Sequence, residues 1–266
     1  MLILIQKMKT LLEDPVTYDL VSHPVSESNF SIPMNEVIGK KIQLKFTGKT
    51  QCTACGKAKK IFAQGFCYDC FMNAPESSPC IIKPELCEGH LNKGRDLEWE
   101  QKHHVQPHVV YLAVASGLKV GVTRATQVPT RWIDQGASYC IKVAETPYRQ
   151  LAGEIEVALK SHFTDKTNWR RMLKNEIGDF DLEEEKWQIE ELLPADLGQY
   201  MTEDDDVTEI HYPVLDFPKK IKSLSFDKIP EISGTLLGMK GQYLILDDNR
   251  VLNIRKHTGY EVSFDY

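Results

Sequence analysis

Seven cysteines carry the most specific chemistry in the chain: Cys52, Cys55, Cys67, Cys70, Cys80, Cys87 and Cys140. Cys52-Thr-Ala-Cys55 and Cys67-Tyr-Asp-Cys70 are two CxxC pairs with eleven residues between them. Each turn can present two thiolates to one ion, and four soft donors in a tetrahedron suit Zn²⁺ at about 2.3 Å. Gly56 directly follows the first pair and eases the tight turn that such a knuckle needs. A redox role would require one pair on a thioredoxin-like βαβ unit, which the surrounding sequence lacks. Lys57, Lys59 and Lys60 are expected to help keep these thiolates charged. A second set comprises Cys80, Cys87 and His90, the last two in CxxH spacing. His103, His104 and His108 are the candidates for its fourth ligand, and His104 is taken. Cys140 is isolated and reads as a small core residue. Four protein ligands leave no open coordination position, so both ions are expected to be structural.

The chain has 266 residues, of which 42% are hydrophobic and 26% charged, so it can bury a core. Its longest apolar run, Val109–Ala115, is seven residues, far from the ~20 of a membrane helix. Leu2–Ile5 lacks a basic leader and a small-residue cleavage site, so no secretory signal is expected there. Without one, clustered thiols point to a reducing, cytoplasmic setting and to metal ligands, not disulfides.

The net charge is −6, but it is unevenly spread. Between Asp179 and Glu209 thirteen acids face one base, Lys186, giving −12 and leaving the rest of the chain at +6. From Lys40 to Lys60 there are seven lysines and no acid. From Lys119 to Lys174 there are ten bases and five acids, with Trp132 and Trp169 among them. Bases interleaved with aromatics suit nucleic-acid binding, and Lys57, Lys59, Lys60, Arg124, Trp169 and Arg170 are its candidate residues. The acidic stretch 179–209 is a candidate docking element for a protein partner, or a mimic of nucleic acid folding over a basic face.

The elements that must position these groups follow from periodicity. Residues 16–48 read as strands, and Ile42, Leu44 and Phe46 alternate with lysines and Gln43. Residues 49–107 have too little apolar periodicity to fold without a metal staple. The runs His108–Ala115 and Leu118–Thr123, broken at Ser116-Gly117, predict a β-hairpin. Helices are expected at Pro129–Gln135, Pro147–Phe163, 168–176 with Asn168 as cap, and Leu182–Leu193. Four short runs between Gly234 and Phe264, with a turn at Asp247-Asp248-Asn249, predict a C-terminal antiparallel sheet. The expected fold is α+β in five segments: an N-terminal β segment (1–48), a zinc-ribbon-like cysteine/histidine segment (49–107), a core (108–178), an acidic linker or helix (179–211) and a C-terminal β segment (212–266).

Within that core, VVYLA (109–113), KVGVT (119–123), RWIDQGA (131–137) and EVALKSHF (156–163) resemble, in order and spacing, the motifs of the GIY-YIG nuclease superfamily. The resemblance covers about residues 108–165. It implies a β-hairpin flanked by helices in which Tyr111, Arg131 and Glu156 surround a scissile phosphate. Lys119 stands where that superfamily usually has a second tyrosine. Such a site would cleave phosphodiesters with Mg²⁺ or Mn²⁺ held by Glu156, while Arg131 contacts the phosphate. Tyr111 would orient or deprotonate the water with help from Lys119. The whole chain also resembles an uncharacterised bacterial family that joins a cysteine-rich segment to such a core and a C-terminal β segment. The resulting expectation is a zinc-containing nucleic-acid-binding protein, either a metal-dependent endonuclease or a non-catalytic module or scaffold that keeps the fold without cleavage.

Overall fold

A computed structural model of the protein describes residues 1–23, 30–160, 162–163 and 168–266. Parts of three expectations lie outside the described residues: positions 24–29 of the 16–48 strand region, position 161 of EVALKSHF, and 164–167 of the core segment. The strands are β1 (Leu2–Leu4), β2 (Lys9–Leu11), β3 (Thr17–Val21), β4 (Ser31–Pro33), β5 (Lys41–Thr50), β6 (His108–Val114), β7 (Leu118–Arg124), β8 (Tyr139–Thr146), β9 (Thr208–Glu209), β10 (Lys222–Leu224), β11 (Glu231–Lys240), β12 (Tyr243–Leu246), β13 (Arg250–Asn253) and β14 (Tyr260–Asp265). The helices are α1 (Tyr68–Asn73), α2 (Leu97–His103), α3 (Thr130–Asp134), α4 (Arg149–Leu159), α5 (Trp169–Leu173), α6 (Leu182–Leu192) and α7 (Ala195–Gly198). The fold is mixed α+β, and among the described residues no helix is long and apolar enough to cross a membrane.

The chain divides into two compact units, Met1–Met72 with His211–Tyr266, and Asn73–Ile210. The first unit holds a seven-stranded sheet of order β1-β14-β5-β11-β12-β13-β10 and a three-stranded sheet β2-β3-β4. In β5 the alternation is realised: Ile42 and Leu44 are buried, while Lys41 and Lys45 face solvent. That strand pairs antiparallel with both β11 and β14, so the N-terminal and C-terminal β segments form one sheet. The hairpin from β12 to β13 turns at Asp248 and Asn249, with φ of 56° and 61°. Short polar side chains tolerate that left-handed backbone, as their spacing predicts.

The second unit is built on the sheet β7-β6-β8-β9. Strand β6 is buried on both faces. Val110, Leu112 and Val114 pack into a core with Ala152, Ile155 and Leu159 of α4 and Ile189 of α6. The intervening Tyr111 projects to the opposite face, where its ring centroid lies 5.9 Å from that of Trp132 on α3. The expected hairpin is therefore β6–β7. Strand β8, its other neighbour, was not expected, because Lys142 interrupts a short apolar run between two helix signals.

The acidic stretch carries regular structure in α6, α7 and β9. Asp181 caps α6 by accepting from the N–H groups of Glu183 and Glu184. Lys186, buried, donates to Asp205 Oδ1 at 2.6 Å and to the Asp204 carbonyl at 2.8 Å. Lys142 Nζ meets Asp204 Oδ2 at 2.7 Å. The belt therefore folds onto the second unit and spends several of its charges internally. Of the two cysteine sets in 49–107, Cys52–Cys70 falls in the first compact unit and Cys80–Cys87 in the second.

Candidate metal centres

The first centre sits in the first unit. The sulfur atoms of Cys52, Cys55, Cys67 and Cys70 all lie within 4.8 Å of one another. The knuckle follows from the local backbone: Gly56 N–H donates to the Cys52 carbonyl at 2.9 Å, and Gly56 takes φ 67°. Cys67 N–H points at Cys52 Sγ, 3.3 Å away. Burial pushes the Cys52 thiol up, but backbone N–H groups of Cys55, Cys67 and Ala54 outweigh it and bring it down to about 6. These amides, more than the lysines, charge the sulfur. Lys59 is instead paired with Asp69 at 2.7 Å.

The second centre sits in the second unit and comprises Cys80, Cys87, Glu100 and His104, all buried. Cys80 and Cys87 come from short 3-10 turns, whereas Glu100 lies one helical turn before His104 at the end of α2. Cys87 Sγ lies 3.4 Å and Cys80 Sγ 3.9 Å from His104 Nδ1, and that nitrogen is hydrogen-bonded to Glu100 Oε2. Donors of a tetrahedral zinc site lie about 3.5 Å apart, given bonds of about 2.3 Å to sulfur and 2.0 Å to nitrogen. A hydrogen bond with Cys87 charges the Cys80 thiol, with help from His104 and Ser78 and against burial, drawing it down to about 4. The same shared proton pushes Cys87 up. An ion of charge 2+ would displace that proton.

Of the histidines, His104 takes the expected place and His90 does not. The His90 ring stacks on Tyr148, with centroids 4.5 Å apart and planes 9° from parallel. His103 Nδ1 accepts from Arg124 at 2.6 Å, and His108 Nδ1 donates to the Gln106 carbonyl at 2.7 Å. Glu100 replaces His90 in the ligand group. Its spacing from His104 puts both on one helix face, but a Glu four residues before a His is too common a pattern to single it out.

Helix α4 braces this centre. Arg149 donates to the carbonyls of Cys80 (2.9 and 3.1 Å) and Ile81 (2.9 Å), and its own N–H bonds the His104 carbonyl at 2.9 Å. Gly153 lies against the backbone of Pro84 and Glu85, leaving no room for a Cβ. Gly153 thus lets α4 approach the cysteine-rich turn closely.

Of the nuclease-like set, Tyr111, Lys119 and Arg131 share one side of the sheet, and Glu156 belongs to the helix packed on the other. Tyr111 is fully buried, with its hydroxyl 3.5 Å from Gln135 Oε1 and beside Arg131. Lys119 lies on the same sheet face, opposite Ala113 in the β6–β7 register. Glu156 belongs to α4, which packs on the other face, where it meets Lys160 at 3.4 Å and attracts Arg149. Burial also pushes the Tyr111 phenol up to about 12, against the opposing pull of Arg131, which is the wrong direction for a base. The physical reason is sheet alternation: α4 meets Val110 and Leu112, so the helix that carries Glu156 packs on the face opposite Tyr111.

The nucleic-acid candidates divide between the units. Lys57, Lys59 and Lys60 are exposed in the first. Arg124, Trp169 and Arg170 lie in the second, where Arg124 is engaged by His103 and the Arg170 guanidinium stacks 4.3 Å from the Trp169 ring.

No curated protein and no solved structure matches the chain. A family profile described as "Protein of unknown function (DUF2797)" matches residues 39–262 and so spans both units and both cysteine groups. The chain belongs to the DUF2797 family.

Proposed function

We propose that the protein is a zinc-containing, non-cleaving nucleic-acid-binding protein whose binding surface is on the first unit. The observation that carries this reading is a groove of about 530 Å³ whose lining includes Phe46, Lys49, Lys59, Lys60 and Tyr260, with one acid, Asp227, accepting from the Tyr260 hydroxyl. Cationic side chains that track a phosphate backbone, beside aromatic rings that stack on bases, are the two ingredients of sequence-tolerant single-strand binding. Phe62 and Tyr68, 58% and 59% exposed, add rings on the cysteine-rich segment 5.2 Å apart in an edge-to-face pair. Lys49 and Lys59 face Glu261 and Asp69, but both lysines are solvent-exposed and such pairs are weakly held, so phosphates can replace the carboxylates. The zinc ion at Cys52, Cys55, Cys67 and Cys70 would hold the strip carrying Lys57, Lys59 and Lys60 in place without doing chemistry. Packing of α4, which carries Glu156, on the sheet face opposite Tyr111 favours binding without cleavage over the nuclease reading.

Fluorescence anisotropy with labelled oligo-dT and oligo-U tests this reading. Affinity should fall linearly in logarithmic plots against salt. The double variant Lys49→Glu, Lys60→Glu should bind at least about tenfold more weakly and lower the salt slope by about 2. Incubation with Mg²⁺ or Mn²⁺ should leave the oligonucleotides intact. Absence of binding at 50 mM salt, or an unchanged slope in the double variant, refutes it.

A further inference from the structure

Asp227 is the one acid among the described residues lining the groove of the first unit, and a carboxylate there repels the phosphates that Lys49, Lys59 and Lys60 attract. Its surroundings set it apart from the other acids near those lysines. Lys49 stands 3.9 Å from Glu261 and Lys59 2.7 Å from Asp69, whereas Asp227 has no ion-pair partner among the described residues. Two neutral hydroxyls hold it instead: Tyr260 donates to Oδ1 at 2.7 Å and Ser225 donates to Oδ2 at 3.0 Å. Ser225 is itself fixed, since its oxygen accepts from the Asp227 N–H at 3.3 Å and lies 3.2 Å from Nε2 of the buried His257. The hydrogen bond from Tyr260, ahead of that from Ser225, holds the Asp227 carboxyl below the ordinary carboxylate range. At neutral pH it is therefore an acceptor only.

Each carboxylate oxygen has two acceptor positions, and the hydroxyls take one on each. Two remain side by side, in an orientation the hydroxyls fix. The groove also carries rings: Phe46 and Tyr260 are in contact, with centroids 5.0 Å apart and planes 41° from parallel. The carboxylate stands at the hydroxyl end of the Tyr260 ring, so a base stacked on that ring extends over the rim toward it. We infer that Asp227 reads a base: resting on the binding reading above, it gives an otherwise sequence-tolerant groove one position selective for guanine.

The selectivity follows from the edges of the bases. Guanine alone presents two neighbouring donors, N1–H and the N2 amino group, which match two parallel acceptors. Adenine and cytosine each set a ring-nitrogen lone pair beside their amino group. Thymine and uracil flank a single N–H with two carbonyl oxygens. Each of these turns at least one unshared pair toward the carboxylate and is repelled. Asp227 thus favours guanine through two charge-assisted hydrogen bonds and disfavours the other bases through repulsion. Any base that does not satisfy it leaves its repulsion of the neighbouring phosphates uncompensated.

The test uses the full chain and short labelled oligo-dT strands that carry one central guanine, adenine, cytosine or hypoxanthine, read by fluorescence anisotropy. The guanine strand should bind at least about fivefold more tightly than the adenine or cytosine strand. Hypoxanthine keeps N1–H but lacks the amino group, so its strand should fall between. Asp227→Asn offers one acceptor and one donor, so the preference should pass from guanine to adenine and cytosine. Its affinity for plain oligo-dT should stay at or above that of wild type, whereas a merely structural role would weaken every strand alike. Guanosine monophosphate carries the same edge without neighbouring phosphates. It should displace the guanine strand only at concentrations at least about a hundredfold above those the unlabelled strand needs. Displacement at matching concentrations would assign the edge to a free nucleotide and overturn the inference. Equal affinity for the guanine and adenine strands, with binding intact, overturns this inference alone, and so does a guanine preference that survives Asp227→Asn. Absence of binding to every strand overturns the binding reading and this inference with it. The wild-type comparison needs no variant, so the outcome does not depend on how Asp227→Asn folds.

Discussion

Gly153 gives the sharpest check on how the second centre is held. Replacing a mid-helix glycine by alanine ordinarily stabilises a helix by about 1 kcal/mol. Here the added methyl would stand 2.7 Å from Glu85 Cα, with Glu85 N and the Pro84 carbonyl carbon closer still. Ordinary contact begins at 3.4 Å, so the turn must retreat by at least 0.7 Å, and backbone cannot rotate away as a side-chain tip can. Overpacking of this kind costs about 1–3 kcal/mol, occasionally more. Three backbone atoms so close put the cost at the upper end of that range, so the net expectation for Gly153→Ala is a destabilisation of about 2 kcal/mol, or roughly 4–8 °C in the melting of the second unit. Because the displaced turn leads directly into Cys87, the same variant should release its second metal ion to a chromophoric chelator faster than wild type, while the first centre is unaffected. The assay pairs differential scanning calorimetry with chelator kinetics. A variant that melts at or above the wild-type temperature would show that α4 does not press on the Pro84–Glu85 turn, and the account of how Cys87 is positioned would fall with it.

Elemental analysis of protein expressed in zinc-supplemented medium should give two metal ions per chain, falling to one in Cys55→Ser; a single ion in wild type would remove one of the centres. Burial pushes the His108 imidazole down to about 3, so the folded state refuses a proton that the unfolded chain accepts near 6.5. Stability contributed this way is intact above about 6.5 and is lost as pH falls from there toward 3. Urea midpoints should therefore drop from pH 7 to pH 5, and by less in His108→Gln; an equal drop in both would exonerate His108. Tyr111→Phe should leave oligonucleotide affinity unchanged within twofold, since the phenol is enclosed within the second unit; a tenfold loss would return Tyr111 to a binding surface.

What could be read from the residues alone depended on how local the determining interactions are. The four-thiolate centre was legible because its two turns need only three-residue spacing and a glycine. The β6–β7 hairpin was legible because seven apolar residues, a turn and a second run leave few alternatives. Glu100 was hidden because a charged helix residue ordinarily faces water, and only tertiary packing puts it among thiols. Strand β8 was hidden for the same reason, since its pairing partner β6 is chosen at long range. The arrangement about Tyr111 required knowing which face of β6 receives α4. Alternation states that Val110 and Tyr111 part company, but not which of them meets Glu156.

The first unit is assembled from two stretches of sequence, and β14 lies between β1 and β5. Thr50 and its partner Tyr260 stand 210 positions apart. During synthesis on the ribosome, β5 therefore waits with its edge groups unpaired while the whole of the second unit is made, a situation that invites pairing with neighbouring nascent chains. Lys41, Lys45 and Lys49 along that waiting strand supply the repulsion that discourages such encounters.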